Sequence, residues 1–123
     1  MAATARPRRS VLYMPGSNAR ALAKATTLAA DALIFDLEDA VAPGAKEAAR
    51  EQVCAAVRSG GYSHREVVIR INGLDTPWGS ADLAAAAAAA PDAVLLPKPG
   101  SGKDIVHATQ ALADAGAAEK TRL

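Results

Sequence analysis

"DALIFDLEDAV" (residues 31–41) sets an apolar run, Ala32 to Phe35, directly against Asp36, Glu38 and Asp39. A short, continuously apolar run rich in β-formers is the pattern of a strand covered on both faces. Its charged end is the puzzle. Three carboxylates in four positions raise one another's pKa unless cations stand close. Acids also favour the first turn of a helix. Here the next helical segment opens near Pro43, too late to account for Asp36.

The same texture recurs on either side of this stretch. Apolar runs at Ser10–Met14, Val67–Ile71 and Ala93–Leu96 are each followed by a longer, alanine-rich, charged segment. Strands alternating with helical segments predict βαβ units and a parallel sheet, an α/β fold. The helix signals agree. Ser17 can cap "ARALAKATTLAA". "PGAKEAAREQVCAAVRSGG" has proline near its start, Gly60–Gly61 at its end, and a stripe of Ala45, Ala49, Val53 and Val57. Thr76 followed by Pro77 reads as an N-cap and first helical position. Ser101 and Asp104 resemble a capping box, and Gly116 stops the helix they open. The alanine run 84–90 reads as a closely packed helix. Four βα units result, in one domain spanning 1–123 with no visible linker. Thr121–Leu123 looks like the start of a fifth strand, so the chain is expected to stop inside a larger repeating architecture.

Bulk properties narrow the function. Half the 123 residues are hydrophobic but only 3% are aromatic, so alanine supplies much of a modest core. Net charge is +1, too small a surplus for general nucleic-acid binding. The basic "RPRR" (6–9) reads as an exposed lead-in, with a phosphate contact as the alternative. The first ten residues are basic and lack acids, a composition shared with mitochondrial leaders, but no secretory h-region follows them. A single cysteine, Cys54, excludes an internal disulfide and fits a cytoplasmic setting and a core position. No window is long and apolar enough to span a bilayer, so no membrane partner is expected.

Each run ends in unusual residues: Pro15-Gly16-Ser17-Asn18, then Asp36 to Asp39, then Arg70 with Asn72-Gly73, then Pro97-Lys98-Pro99. In a parallel sheet these ends share one rim, where α/β folds keep their sites. Arg70 and Lys98 can therefore neutralise the acids, as can a divalent cation, which prefers hard oxygen ligands. Arg70 interrupts an apolar strand; it either clamps a substrate carboxylate or forms a structural ion pair with the acids. Lys98 is a rim charge or an ordinary surface lysine. Arg20 and Lys24, one helical turn apart, make a basic edge that can meet phosphates or simply face solvent. His64 and His107 lack a partner at metal-ligand spacing, and Trp78 is expected to pack.

"RSVLYMPGSNARALAKA", "DALIFDLEDAV", "VVIRINGLDTPWG" and "DAVLLPKPGS", in this order from residue 9 to about 102, resemble the citrate lyase β-subunit / malyl-CoA lyase family. The resemblance implies the first four βα units of a (β/α)8 TIM barrel, truncated near strand five. It implies Mg²⁺-dependent carbon–carbon lyase chemistry on a citryl-CoA or malyl-CoA type thioester, giving an acyl-CoA and a 2-oxo acid. Arg70 resembles the group that holds the oxo-acid carboxylate. Asp36, Glu38 and Asp39 resemble the catalytic acid network, with Glu38 and Asp39 around the metal's waters. Arg20, Lys24 and Lys98 resemble substrate and CoA contacts. No direct metal ligand is expected in this chain; in the family these lie at strands five and six, beyond Leu123. The implied partners are a small acyl-CoA and either further copies of the chain or a C-terminal half. A non-catalytic half-barrel that self-associates or pairs with such a half is the competing expectation.

Overall fold

The computed structural model describes residues 5–123. Met1–Thr4, the first part of the leader-like ten-residue stretch, lie outside the described residues. Four parallel strands form one sheet in the order β1 (Val11–Pro15), β2 (Ala32–Asp36), β3 (Glu66–Arg70), β4 (Ala93–Leu95). Helices α1 (Ala19–Lys24), α2 (Lys46–Ser59), α3 (Gly79–Ala89) and α4 (Gly102–Asp114) alternate with them. Strand order follows chain order, as in a barrel wall. A doubly wound sheet would reverse direction partway. Arg122 forms a parallel bridge to Ala93, so a fifth strand begins where the sequence predicted it.

The register aligns the chemistry. Pro15 pairs with Asp36, Asp36 with Arg70, and Arg70 with Leu95, along one line across the sheet. The core lies between the sheet and its helices: Leu33, Phe35, Leu37, Ile69, Ile71, Val53 and Val94 are essentially solvent-free. Tyr62 stacks edge-on against Phe35 at 5.1 Å and donates from its hydroxyl to Leu22 O. Cys54 sits in this core, where burial pushes its thiol pKa up.

Coverage differs between strands. β2 is buried throughout, but Val11, Leu12 and Tyr13 of β1 are exposed, because β1 is an edge and pairs only with β2. The expectation that all four runs are covered on both faces therefore fails at β1.

Local signals also shift. Asn18, not Ser17, caps α1: its Oδ1 accepts from Ala21 N. That helix is short and tightens into a 3₁₀ turn at Ala25–Thr27. Thr76 does not cap α3. Its hydroxyl donates to Gly73 O in a turn, and the helix opens at Gly79. Gly79 is required there, because a Cβ would collide with the Gly73 carbonyl. The Ser101–Asp104 box is incomplete: Asp104 reaches back to Gly100 N, while the Ser101 side chain caps nothing.

Candidate active site

The loop after β2 is built around Asp36. Its side chain is fully buried, and burial alone would raise its pKa. Four donors reverse that. Arg70 Nε donates to Oδ1 at 2.7 Å and Arg70 Nη2 to Oδ2 at 2.9 Å. The N–H groups of Glu38 and Ala40 add bonds of 2.9 and 2.8 Å. The net result is a carboxyl held below its usual range. Because these bonds fold the loop tightly, Gly16 can approach it: its N–H donates to Asp36 O, and a Cβ there would lie 2.6 Å from that oxygen.

Arg70 is thus engaged along its Nε–Nη2 edge. Its Nη1 lies 3.5 Å from Glu38 Oε1, and its guanidinium carbon stands 4.9 Å from the Tyr13 ring centre. The bond to Asp36 raises its already high pKa, so it stays charged. The structural ion pair expected as one reading is therefore formed. The Nη1–Nη2 end of the fork has no bidentate partner among the described residues, so a carboxylate can still be met end-on.

Lys98 completes the cluster. Nζ donates to Glu38 Oε2 at 2.6 Å and to Asp39 Oδ1 at 3.1 Å. The Asp39 carboxyl is lowered by the Lys98 hydrogen bond, and the Lys98 ammonium is raised by Glu38 first and Asp39 second. Between its two prolines Lys98 adopts φ +46°, a left-handed conformation that non-glycine residues reach at a cost. A cleft of about 160 Å³ opens beside it, with Leu74, Leu96 and His107 on its walls.

Glu38 Oε1 is the one buried side-chain oxygen without a hydrogen-bond partner among the described residues. As a hard donor it suits a magnesium ion or one of the ion's waters. The remaining acid oxygens are committed to Arg70, Lys98 or backbone N–H groups. No group of three potential ligands is present among the described residues. The residues fit the surroundings of a metal but not its ligand set.

Arg20 and Lys24 are exposed on α1 and form no ion pair with a described carboxylate, so the structure does not bring them to the acids. His64 is likewise exposed and apart.

Sequence reading missed what lies beneath the rim. Lys46 is buried, and its Nζ donates to Leu37 O (3.0 Å), Glu38 O (2.8 Å) and Asn72 Oδ1 (2.7 Å). Asn72 Nδ2 in turn donates to Asp82 Oδ2, and Arg50 Nε to Asp82 Oδ1. This network joins α2, α3 and the end of β3 under the acid loop. The signal available was Asp82, a lone acid in an otherwise apolar helix, whose partners Asn72 and Arg50 lie 10 and 32 positions away. Trp78 packs beside it, 5.2 Å from Lys46 Nζ.

The chain matches the HpcH/HpaI aldolase/citrate lyase family over residues 9–122. It is 53% identical to a (3S)-malyl-CoA thioesterase of Cereibacter sphaeroides, over 85% of this chain and 37% of that protein. It is 42% identical to the citrate lyase subunit beta of Escherichia coli, over 82% of this chain and 33% of that protein. Among solved structures, CitE of Mycobacterium tuberculosis in complex with magnesium, acetoacetate and coenzyme A superposes with a TM-score of 0.67 at 35% identity, covering 83% of this chain and 38% of that one. The chain thus spans about a third of the length of the curated relatives it matches. With strand order, rim register and sequence in agreement, the chain belongs to the HpcH/HpaI aldolase/citrate lyase family.

Proposed function

We propose that residues 1–123 form the N-terminal half of a barrel whose rim serves a magnesium-dependent carbon–carbon lyase for citryl-CoA or malyl-CoA type thioesters. The observation that supports this best is the locked Asp36–Arg70–Glu38–Lys98 cluster at the strand ends. In the cleavage direction, the 3-hydroxyl loses its proton and its oxygen becomes the carbonyl of a 2-oxo acid. The carbon–carbon bond breaks, its electron pair passes to the thioester enolate, and that carbon then takes a proton. Arg70, held by Asp36, offers its free end to the oxo-acid carboxylate. Lys98 holds the Glu38 and Asp39 carboxylates in place. Bound magnesium supplies charge stabilisation at the developing carbonyl. Glu38 Oε1 would hold that ion or one of its waters, and the ion's direct ligands would come from strands beyond Leu123. Arg20 and Lys24 take the CoA phosphates, in a cytoplasmic setting.

The relatives include both a thioesterase and a lyase subunit, so products decide. The test supplies malyl-CoA and Mg²⁺ to the chain, alone and with a C-terminal half of a relative. Glyoxylate and acetyl-CoA appearing only with the added half supports the reading. Free malate and CoA without glyoxylate replaces the lyase by a thioesterase. Robust turnover by the chain alone overturns the assignment of the metal ligands beyond Leu123. The exposed β1 residues Val11, Leu12 and Tyr13 favour a second reading, a non-catalytic half that pairs with a complementary half or another copy. Stable association without any product in that assay selects it.

A further inference from the structure

The end of the sheet opposite the rim, roughly 15 Å away along a five-residue strand, carries its own cavity. Two adjoining lobes, about 280 and 690 Å³, share Arg6, Asp92 and Lys120 on their walls. Arg65 lines the smaller lobe, and Arg8, Glu66 and Arg122 the larger. Five cations thus face two carboxylates, leaving three positive charges uncompensated. The carboxylates are already spent: Glu66 takes both forks of Arg8, and Asp92 Oδ2 accepts from Val67 N with Arg6 at 4.0 Å. Arg65 is fixed by the carbonyls of Leu28 and Tyr62, which satisfy donors without cancelling charge. Lys120 and Arg122 form no ion pair among the described residues. Their backbone is nonetheless anchored: Arg122 N donates to Asp92 O, Val94 N to Arg122 O, and Thr121 Oγ1 to Pro91 O.

We propose that this cavity is a binding site for a chain of linked phosphates, held by Lys120, Arg122, Arg6 and Arg65. Linked phosphates match the features together. Their several charges answer the surplus, arginine forks fit phosphate oxygens, and the one aromatic ring lining the described walls, Tyr62, is buried edge-on against Phe35 and offers no face to a base. The proposal does not depend on the reading of the rim.

The test is isothermal titration of the 123-residue chain with tripolyphosphate, pyrophosphate and orthophosphate at a fixed ionic strength of about 0.15 M. Saturable one-to-one binding is expected, weakening about tenfold or more with each phosphate removed. ATP should match tripolyphosphate and AMP should fall with orthophosphate. Lys120→Gln/Arg122→Gln should weaken tripolyphosphate at least about tenfold with an unchanged circular dichroism spectrum. Lys120→Gln alone, an exposed change, should weaken it less, and Lys103→Gln on α4 not at all. No saturable heat with tripolyphosphate, equal affinity in the double variant, or AMP binding as tightly as ATP would each overturn the proposal.

Discussion

The two ends of the sheet hold similar charges in opposite arrangements. At the starting end, Asp31, Glu66 and Asp92 stand one apiece at the beginnings of β2, β3 and β4. Each meets one arginine of the N-terminal arm: Arg9, Arg8 and Arg6 respectively. At the finishing end, Asp36, Glu38 and Asp39 crowd onto one loop and share two cations, Arg70 and Lys98. The first pattern straps an arm across a wet edge; the Arg9 side chain is 80% exposed. The second buries its central pair, with Asp36 at 0% and Arg70 at 18%. Exposed pairs gain little because water screens them. A buried pair is costly to assemble and costlier to break. A fold that needed only stability has no reason to bury Asp36 fully and Glu38 nearly so beside a third, exposed acid, Asp39. That asymmetry supports the proposal that the finishing end is the one that serves chemistry.

Breaking the buried pair should have the largest effect. Asp36→Ala strands Arg70 and frees the N–H groups of Glu38 and Ala40, and should cost about 3 to 5 kcal/mol. Urea unfolding of the variant checks this, and a loss comparable to that of an exposed pair would erase the contrast between the ends. The pH dependence follows from the same contacts. The Asp36 pKa is lowered in the folded state, so its stabilisation is fully present above the unfolded value of about 3.9 and is lost as pH falls through the lower folded value. Asp36→Asn resembles the protonated residue. Its Tm deficit against the wild type should therefore be widest at neutral pH and close below about pH 4.

Next comes the support under the loop. Lys46→Met removes the only side-chain donor to Asn72 Oδ1 and Glu38 O among the described residues, while Leu37 O keeps Asn72 Nδ2. The expected loss is about 2 kcal/mol, measured by the urea midpoint. If this variant is as stable as the wild type, the loop is held by Asp36 alone. Lys98→Met should act differently again. With its side chain largely in water its effect is electrostatic and local. The Asp39 carboxyl should rise toward its ordinary value, as read by NMR titration of the Asp39 side chain, with little change in Tm.

The finishing end was legible in sequence because its parts obey short-range rules. Apolar runs mark strands, strands in a parallel sheet end together, and so Asp36, Arg70 and Lys98 had to be neighbours. Lys46, Arg50 and Asp82 were not legible, because their meeting depends on how α2 and α3 pack. A lysine in a charged helix gives no sign that it is the one turned inward. Helix starts failed for a related reason. Several polar residues precede α1 and α3, and tertiary contacts chose among them: Asn18 over Ser17, and a turn at Thr76 closed onto Gly73. The basic 6–9 stretch is the exposed lead-in that the sequence predicts, but its ion pairs were not legible, because nothing local joins Arg8 to Glu66, 58 positions away.

That arm supplies the smallest expected effect and the sharpest test of the comparison. In Arg9→Gln the guanidinium contacts at 3.3 and 3.4 Å are lost, but Asp31 keeps the backbone N–H groups of Arg9 and Ser10. The carboxyl, 18% exposed, still accepts from both backbone donors, so its charge is not left without a partner. Tm should shift by no more than about 2 °C, and added salt should remove even that difference. The Asp31 carboxyl, now lowered chiefly by the Arg9 side chain, should drift up but stay below its ordinary value through the backbone bonds. A destabilisation matching Asp36→Ala would mean that the arm is integral to the sheet, and that the two ends differ in exposure without differing in role.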